Sequence, residues 1–354
     1  MKLRSHTLLT LISGALCSVL AAVGQPTPIA PYTVSVFATG VPNMYTQPDS
    51  IAVSRDGIFI GYGNGVCKDG TCPGASSTIV QYSTKGTVIK IYSVPGHNDG
   101  LKAEPKTHRI WALQNEDGLP NLVIIDSKKG TQTPYSFGPT PHGGGYDDIA
   151  FIHDDDQEQE TDDEIPIHDV FISASNPLNN PNVSPAIVRG HLNQDGTVSV
   201  SPVLLGNATA TDVTTGGSVT LNLQDPDSMI FDPSGNLVLD SQADSELIIV
   251  HDPGSADDHQ SVFRLGLANT SEQVDDTVFA TSSHGLILVS DRDANAQTGI
   301  VYAITNPKFA PEAAYTAALT SVGKLDFHTG VITPVVTGMV SPHGMAFIGR
   351  ERER

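Results

Sequence analysis

One short motif recurs six times along the chain, and this repeat constrains the fold more than any other feature. At one position it carries an aspartate in five copies and a histidine in the sixth, followed by a short apolar stretch. Repeats of roughly 40 to 50 residues are typical of the blades of a β-propeller. The aligned residues are Asp49, Asp99, Asp147, Asp227, Asp275 and His343.

A second apolar or alternating stretch follows each of the first five copies, for example 57–62 after the first and 285–289 after the fifth. Short runs of this kind, bounded by Gly, Pro, Asp or Asn, indicate β-strands. Third and fourth strands follow in most copies, which predicts four-stranded antiparallel blades around a central channel. We therefore expect an all-β propeller of six blades, with five or seven left open.

The two ends of the repeat region predict a shared closing blade. Residues 32–39 resemble an outermost strand without a blade of its own, and the sixth copy begins at Pro342. Pairing both ends in one sheet would remove an exposed edge, although only two strands are recognisable there. Two insertions are predicted as well: an acidic loop at 154–164 and a short alanine-rich helix near 308–320.

The N-terminus predicts secretion. A basic start and an apolar run that is short for a bilayer indicate a signal peptide over residues 1–24, leaving 25–354 as a single propeller domain. We expect a secreted protein, periplasmic if the host is a Gram-negative bacterium, with no membrane association after cleavage. In that oxidising compartment Cys67 and Cys72 should form a disulfide, a two-cysteine metal site being the alternative.

Three Asn-X-Ser/Thr sequons predict surface loops that would be glycosylated in a eukaryotic host. Their asparagines are Asn182, Asn207 and Asn269.

The formal net charge of -20, from 39 acidic and 19 basic residues, argues against a nucleic-acid partner. Such acidity favours cations and neutral or metal-bridged ligands. The expected partner is a small molecule or carbohydrate bound by a monomer.

The six aligned residues should converge at one end of the channel, because the innermost strands of a propeller start at the same face. Carboxylates brought that close repel and raise one another's pKa. A divalent ion with oxygen ligands, Ca²⁺ above all, would relieve the repulsion. The alternative is that each aspartate only makes turn hydrogen bonds to nearby backbone amides.

The stretch from Pro226 to Leu239 resembles the blade signature of the senescence-marker-protein/gluconolactonase superfamily. These are six-bladed propellers with calcium or a related divalent ion in the channel, and similar motifs occur in NHL-type binding propellers. The resemblance implies that Asp227 is a metal ligand and proton acceptor. Asp147 stands where the family has an asparagine ligand and Asp49 where it has a glutamate, so both departures keep an oxygen donor.

Further candidates lie beside the innermost strands. With Asp227, His97 and His142 are candidate catalytic residues, because histidine exchanges protons near neutral pH. The candidate substrate-binding residues are Tyr146, Asn115, Arg292 and His343. An ion pair with Asp291 or Asp293 is the alternative role for Arg292.

Three functions fit these residues. The first is divalent-metal-dependent hydrolysis of a sugar lactone or ester at the channel mouth. The second is a lyase acting on a uronate-bearing glycan, in which a cation neutralises the carboxylate while a histidine or Tyr146 abstracts the adjacent proton. The third is a non-catalytic ligand-binding propeller.

Overall fold

The structure, a computed structural model, describes residues 25–152, 168–255 and 260–349. The predicted signal peptide and the acidic insertion at 154–164 lie outside these ranges. Within them the chain forms 27 strands, a 3-10 turn at Gln242–Asp244 and one short helix, α1 (Ala294–Gln297). The all-β prediction is confirmed. No helix in the described part of the chain is long and apolar enough to cross a lipid bilayer.

The first sheets are antiparallel meanders in which each strand pairs with the next. The first sheet contains β3 (Pro48–Ser54), β4 (Gly57–Tyr62), β5 (Ser76–Tyr82) and β6 (Val88–Pro95). The second group contains β7 (Asn98–Ala103), β8 (Arg109–Gln114), β9 (Asn121–Asp126) and β10 (Thr131–Phe137). The third contains β11 (Ile149–Phe151), β12 (Asp169–Ser173), β13 (Pro185–Leu192) and β14 (Thr197–Leu205). A parallel pairing of β10 with β14 joins these two groups into an eight-stranded sheet.

A six-stranded sheet follows. Its meander consists of β17 (Pro226–Phe231), β18 (Leu237–Ser241), β19 (Glu246–His251) and β20 (Ser261–Gly266). The outer edge is extended by β15 (Thr209–Asp212) and β16 (Ser218–Thr220), because β15 pairs in parallel with β20. Every strand predicted from the second, third and fourth motif copies therefore pairs with its neighbour in sequence.

The last two sheets exchange strands, which the repeat pattern did not predict. One sheet contains β21 (Val274–Phe279), β24 (Ala314–Ala318), β25 (Ser321–Leu325), β26 (Ile332–Thr337) and the short β1 (Thr27–Pro28). The other contains β27 (Pro342–Gly349), β22 (Gly285–Asp291), β23 (Ile300–Thr305) and β2 (Thr33–Thr39). The expectation that 285–289 pairs with the strand of the fifth motif copy is wrong, because β22 pairs with β27 instead.

The alanine-rich segment near 308–320 is also different from its prediction. Where a helix was expected, Ala314–Ala318 forms β24, and all five residues are buried. Alanine has the highest helix propensity of the residues, but propensity is a small energy, and burial between two strands overrides it here. The small side chains allow β24 to pair with β21 on one side and β25 on the other.

Both chain ends meet in one sheet, as the sequence predicted. The N-terminal β2 and the C-terminal β27 lie at opposite edges of the last sheet, and β22 and β23 fill the space between them. The six innermost strands then form a closed cycle, since each contacts the next and β27 contacts β3. Gly344 permits this last approach, because a Cβ there would lie 2.4 Å from the Asp49 carbonyl oxygen.

The core lies between neighbouring sheets. One cluster packs Ile60 and Val80 of the first sheet against Leu288 and Val301 of the last. Similar clusters follow at the other sheet boundaries. Since apolar burial is spread over these boundaries, each innermost strand is held on both sides, and its first residues face the centre.

Candidate functional site

The structure brings the six aligned residues together at one end of the innermost strands. We call this set the channel ring; it consists of Asp49, Asp99, Asp147, Asp227, Asp275 and His343. Carboxylate oxygens of Asp99, Asp147 and Asp227 lie within 4.8 Å of one another. On the other side of the ring, His343 Nε2 lies 3.6 Å from Asp275 Oδ2. The predicted convergence is therefore present in the structure.

A β-bulge positions most of these side chains. In β3 the pairing with β4 steps from Pro48 to Ile51, so Asp49 and Ser50 together face one residue of β4. The same step occurs at the ring position of β7, β17, β21 and β27. A bulge bends its strand and re-aims a side chain, and bulges are common beside functional sites. The ring side chains thus leave the regular alternation of their sheets.

Two basic side chains reach the channel ring. Arg292 Nη1 lies 3.4 Å from Asp49 Oδ2, and Arg292 Nε lies 4.0 Å from Asp293 Oδ2. Lys68 forms an ion pair with Glu116, which is only 4% exposed. The repeat pattern contained no signal for Lys68, because it lies in the loop closed by a disulfide rather than in a motif copy.

The predicted disulfide between Cys67 and Cys72 is present in the structure. It closes the loop that carries Lys68 to the ring.

Burial and mutual repulsion raise the pKa of four ring carboxyls. For Asp49 burial is the largest cause and the Asp99 carboxylate adds to it, while Arg292 opposes the shift. The pKa values of the other three are raised by burial first and by neighbouring carboxylates second: Asp147, Asp227 and Asp275. These four carboxyls therefore bind protons more readily than free aspartates do, and a cation at the ring would compete with those protons.

Asp99 is the exception among the ring carboxyls. Burial alone would raise its pKa, but a hydrogen bond from Glu116 and the charge of Lys68 together hold it below the usual range. Burial and the Asp99 charge raise the pKa of Glu116 in turn. Of the two carboxyls, Asp99 therefore binds a proton less readily than Glu116.

The donor set of Asp99, Asp147 and Asp227 fits a hard divalent cation. Three carboxylates supply only oxygen, which is what Ca²⁺ and Mg²⁺ prefer. The metal ligands expected from the sequence were Asp49, Asp147 and Asp227. The structure groups the last two with Asp99 and places Asp49 in a second group with His97 and Asp99. Asp99 belonged to the predicted ring but not to the predicted metal ligands.

The three candidate histidines lie in different surroundings. His343 Nδ1 donates to the Ser341 carbonyl at 2.9 Å, which leaves Nε2 as the acceptor facing Asp275. Burial and the Arg292 charge lower the pKa of His343 to about 4. His142 is buried with its Nε2 2.6 Å from the Gly145 carbonyl oxygen.

His97 is 4% exposed, and neither of its ring nitrogens has a hydrogen-bond partner. Burial lowers its pKa, against the opposing effect of the Asp99 carboxylate.

The remaining candidates make structural contacts. The Asn115 side-chain oxygen accepts the backbone N–H of His97 at 2.9 Å, and its amide donates to the Leu119 carbonyl. Tyr146 is 1% exposed and packs in the apolar core. Its ring centroid lies 4.8 Å from that of Phe137. Asn115 therefore holds His97 in place, whereas Tyr146 has almost no exposed surface.

A second charged layer lies one step further along the innermost strands. Lys102 Nζ lies 2.7 Å from Asp148 Oδ2, which also accepts the Met229 backbone N–H at 2.8 Å. Asp276 Oδ2 accepts the Met345 backbone N–H at 2.6 Å. Burial raises the pKa of Asp276 to about 6, although the Lys102 charge opposes the shift. These contacts tie neighbouring innermost strands together.

The sequon asparagines differ in accessibility. Asn269 is exposed and Asn207 is half-buried. Asn182 is fully buried, and its amide donates to the Leu223 carbonyl at 2.7 Å. The expectation of a surface loop is wrong at Asn182, because this side chain satisfies backbone groups of two segments.

Several solved structures are similar in fold to this chain. A catalytically inactive variant of virginiamycin B lyase from Staphylococcus aureus, with quinupristin, is 12% identical; 89% of this chain and 96% of that chain are covered, with a TM-score of 0.48. A candidate 6-phosphogluconolactonase from Bacteroides fragilis is 13% identical over 90% and 98% of the two chains, with a TM-score of 0.48. The Cps50 β-propeller domain from Myceliophteria thermophila is 11% identical; 86% of this chain and 73% of that chain are covered, with a TM-score of 0.42.

No protein-family model matches the chain, and no curated protein matches it. Function is therefore argued from the residues of this chain.

Proposed function

We propose that the chain is a secreted six-bladed β-propeller that hydrolyses a sugar lactone or another ester at the mouth of its channel, with the help of a divalent cation. The observation that carries the proposal is the convergence of Asp99, Asp147 and Asp227 in the same ring as His343, whose pKa is lowered to about 4 by burial and the Arg292 charge. The blade signature around Asp227, which resembles that of gluconolactonase-like propellers, agrees with it.

Six blades of four strands account for the strand pairing. Four meanders, the pair of sheets that exchange strands and the closed cycle of innermost strands all support this number. On this interpretation the last blade is closed by strands from both ends of the chain. The channel ring then has one member from each blade.

A cation held by Asp99, Asp147 and Asp227 would polarise the ester carbonyl as a Lewis acid. The chain supplies the proton transfer. His343 Nε2 is unprotonated near neutral pH and accepts a proton from the attacking water. Asp275 Oδ2 lies 3.6 Å from this nitrogen. The water oxygen bonds to the carbonyl carbon, the ester C–O bond breaks, and His343 returns the proton to the departing sugar hydroxyl.

Lactone hydrolysis by the cation-loaded protein tests this proposal. The protein is stripped with EDTA, reloaded with Ca²⁺ and assayed by pH-stat against a panel of sugar lactones and simple esters. Asp227→Asn should lower turnover about a hundredfold or more. The exposed turn residue Asp195, changed to Asn, is the matched control and should keep full activity. Folded, cation-loaded protein that turns over no lactone or ester contradicts the proposal.

The two basic side chains at the ring favour a second candidate function, a lyase that acts on a uronate-bearing glycan. Arg292 and Lys68 could pair with a substrate carboxylate, and His343 would abstract the adjacent proton. A product with ultraviolet absorbance from its new double bond would identify this reaction. If a cation raises the melting temperature but neither panel is turned over, a non-catalytic binding propeller is the remaining function.

A further inference from the structure

We propose that Asp49, His97 and Asp99 form a second cation site, selective for a borderline transition metal such as Zn²⁺, which shares Asp99 with the oxygen-only cluster. We call this set the histidine cluster. The proposal concerns binding and does not depend on lactone hydrolysis.

The geometry of the histidine cluster is the first observation. A ring nitrogen of His97 and carboxylate oxygens of Asp49 and Asp99 lie within 4.8 Å of one another. His97 and Asp49 are 4% and 3% exposed. Three donors from different residues thus converge, two of them on buried side chains and the third on Asp99, which is partly exposed.

The unpaired imidazole is the second and independent observation. Neither ring nitrogen of His97 has a partner at normal hydrogen-bond geometry although the side chain is buried, and the Val66 backbone makes only a minor contribution to the pKa of the ring. An unsatisfied buried polar group costs about 1–3 kcal/mol. A metal ion bound to the unprotonated nitrogen would remove that cost for this nitrogen, because a neutral imidazole nitrogen is a common metal ligand.

The backbone around His97 keeps the imidazole in place. Its N–H donates to Asn115 Oδ1 at 2.9 Å, and its carbonyl accepts the Asn115 N–H at 2.7 Å. The ring packs against Gly63, where an added Cβ would lie 2.6 Å from His97 Cε1. A ligand fixed in this way loses little freedom on binding.

The donor types decide which metal would bind. Ca²⁺ takes oxygen ligands, whereas one imidazole with two carboxylates suits Zn²⁺. The histidine cluster therefore differs in selectivity from the cluster of Asp99, Asp147 and Asp227. Arg292 is the competing cation, and its 3.4 Å contact with Asp49 is long for a hydrogen bond.

Titration of EDTA-stripped protein with Zn²⁺ and, separately, with Ca²⁺ tests the proposal by calorimetry. His97→Gln should weaken Zn²⁺ binding at least about 100-fold, since loss of even an outer partner of a ligand costs 10–100-fold. The same variant should keep Ca²⁺ binding. Asp147→Asn should show the reverse pattern, and Asp99→Asn should weaken both. His328→Gln, at an exposed histidine, is the matched control and should change neither.

Unchanged Zn²⁺ affinity in a folded His97→Gln variant overturns the proposal. If that variant does not fold, wild-type crystals soaked in Zn²⁺ decide instead. An anomalous peak at the zinc edge beside His97 is expected, and Zn²⁺ found only at surface histidines would refute the site. Both readouts are independent of enzymatic turnover, so failure of the proposed hydrolysis leaves this result unaffected.

Discussion

At the residue scale, protonation distinguishes groups that look identical in the sequence. Asp99 keeps its charge because Glu116 and Lys68 stabilise the anion, whereas burial and repulsion raise the pKa of Asp227. Both occupy the same position of the repeated motif. A residue's role in the channel ring thus depends on neighbours that are distant in sequence.

Asp276 should give stability a measurable pH dependence. Its folded pKa of about 6 lies above the ordinary value of 3.8, so the folded state binds the extra proton. Its contribution is complete below about pH 4 and is lost as pH rises through 6, by up to roughly 3 kcal/mol. In Asp276→Asn this loss should disappear. Urea unfolding of cation-free protein between pH 4 and 7 measures it, and parallel curves for the two proteins would contradict the expectation.

Asn182 should be structural despite its sequon. Asn182→Ala leaves the Leu223 carbonyl and the Ser184 N–H without their partners. The free energy of unfolding should fall by about 2 kcal/mol or more. Asn269→Ala, at an exposed sequon, is the control and should change stability little. Equal effects of the two substitutions in thermal unfolding would show that the buried hydrogen bonds do not stabilise the fold.

At the element scale, the loop closed by Cys67 and Cys72 positions the positive charge of Lys68 near the carboxylates of the channel ring. Its residue Lys68 pairs with Glu116 and is 42% exposed at the side chain. The sequence predicted the disulfide but gave it no relation to the ring. The structure connects the two, because the loop lies against the turn that follows β8, where the Asp117 N–H donates to the Lys68 carbonyl.

Removing the Lys68 charge should strengthen cation binding. Lys68→Met takes away a positive charge that repels the ion, and Ca²⁺ affinity should rise by about tenfold. The double variant Cys67→Ser, Cys72→Ser should change affinity in the same direction, because the opened loop no longer holds Lys68 near the ring. Calorimetry measures both. If neither variant changes the affinity, Lys68 does not act on the cation site.

At the scale of the whole molecule, closure depends on a strand from the very end of the chain. The C-terminal β27 pairs with β22 and contacts the innermost strands on both sides, β21 and β3. It also carries His343 and the Gly344 that allows close packing. One strand therefore completes both the fold and the channel ring.

Truncation after Val340 should prevent stable folding. It removes β27, leaves β22 without its inner partner and exposes the apolar residues that pack against Met345. The protein should bind a hydrophobic dye and be rapidly digested by protease. Truncation after Gly349 keeps every described strand and is the control. A truncated protein that unfolds as cooperatively as the control would mean that β27 does not close the ring.

Cation binding should stabilise the molecule more at high pH than at low pH. The net charge is -20, and the raised pKa values of most ring carboxyls mean that protons compete with an ion for these oxygens. At pH 8 that competition is weaker, so saturating Ca²⁺ at 100 times its Kd should add about 2.7 kcal/mol. The rise in melting temperature should shrink towards pH 5. An equal rise at both pH values would argue against binding at the ring.

The local sequence pattern was sufficient to predict most of the strands of the fold. The strands of the first four motif copies, the aspartates at their starts and the pairing of both chain ends followed from short apolar runs and turn residues. These signals are local because a strand's alternation and its bounding turns lie within a few residues. For the same reason the resemblance around Asp227 could be recognised in one continuous stretch.

Only the tertiary structure decided which strands pair and which charges meet. The strand at 285–289 has the same local pattern whether it pairs with β21 or β27, because the partner of a strand is chosen by distant contacts. Burial likewise explains why the alanine-rich segment forms β24. It also explains why the Asn182 side chain makes internal hydrogen bonds and does not lie in a surface loop. The bulges, the arrival of Lys68 and the sharing of Asp99 between two clusters all depend on the closed ring, since each joins residues that only packing brings within a few ångströms.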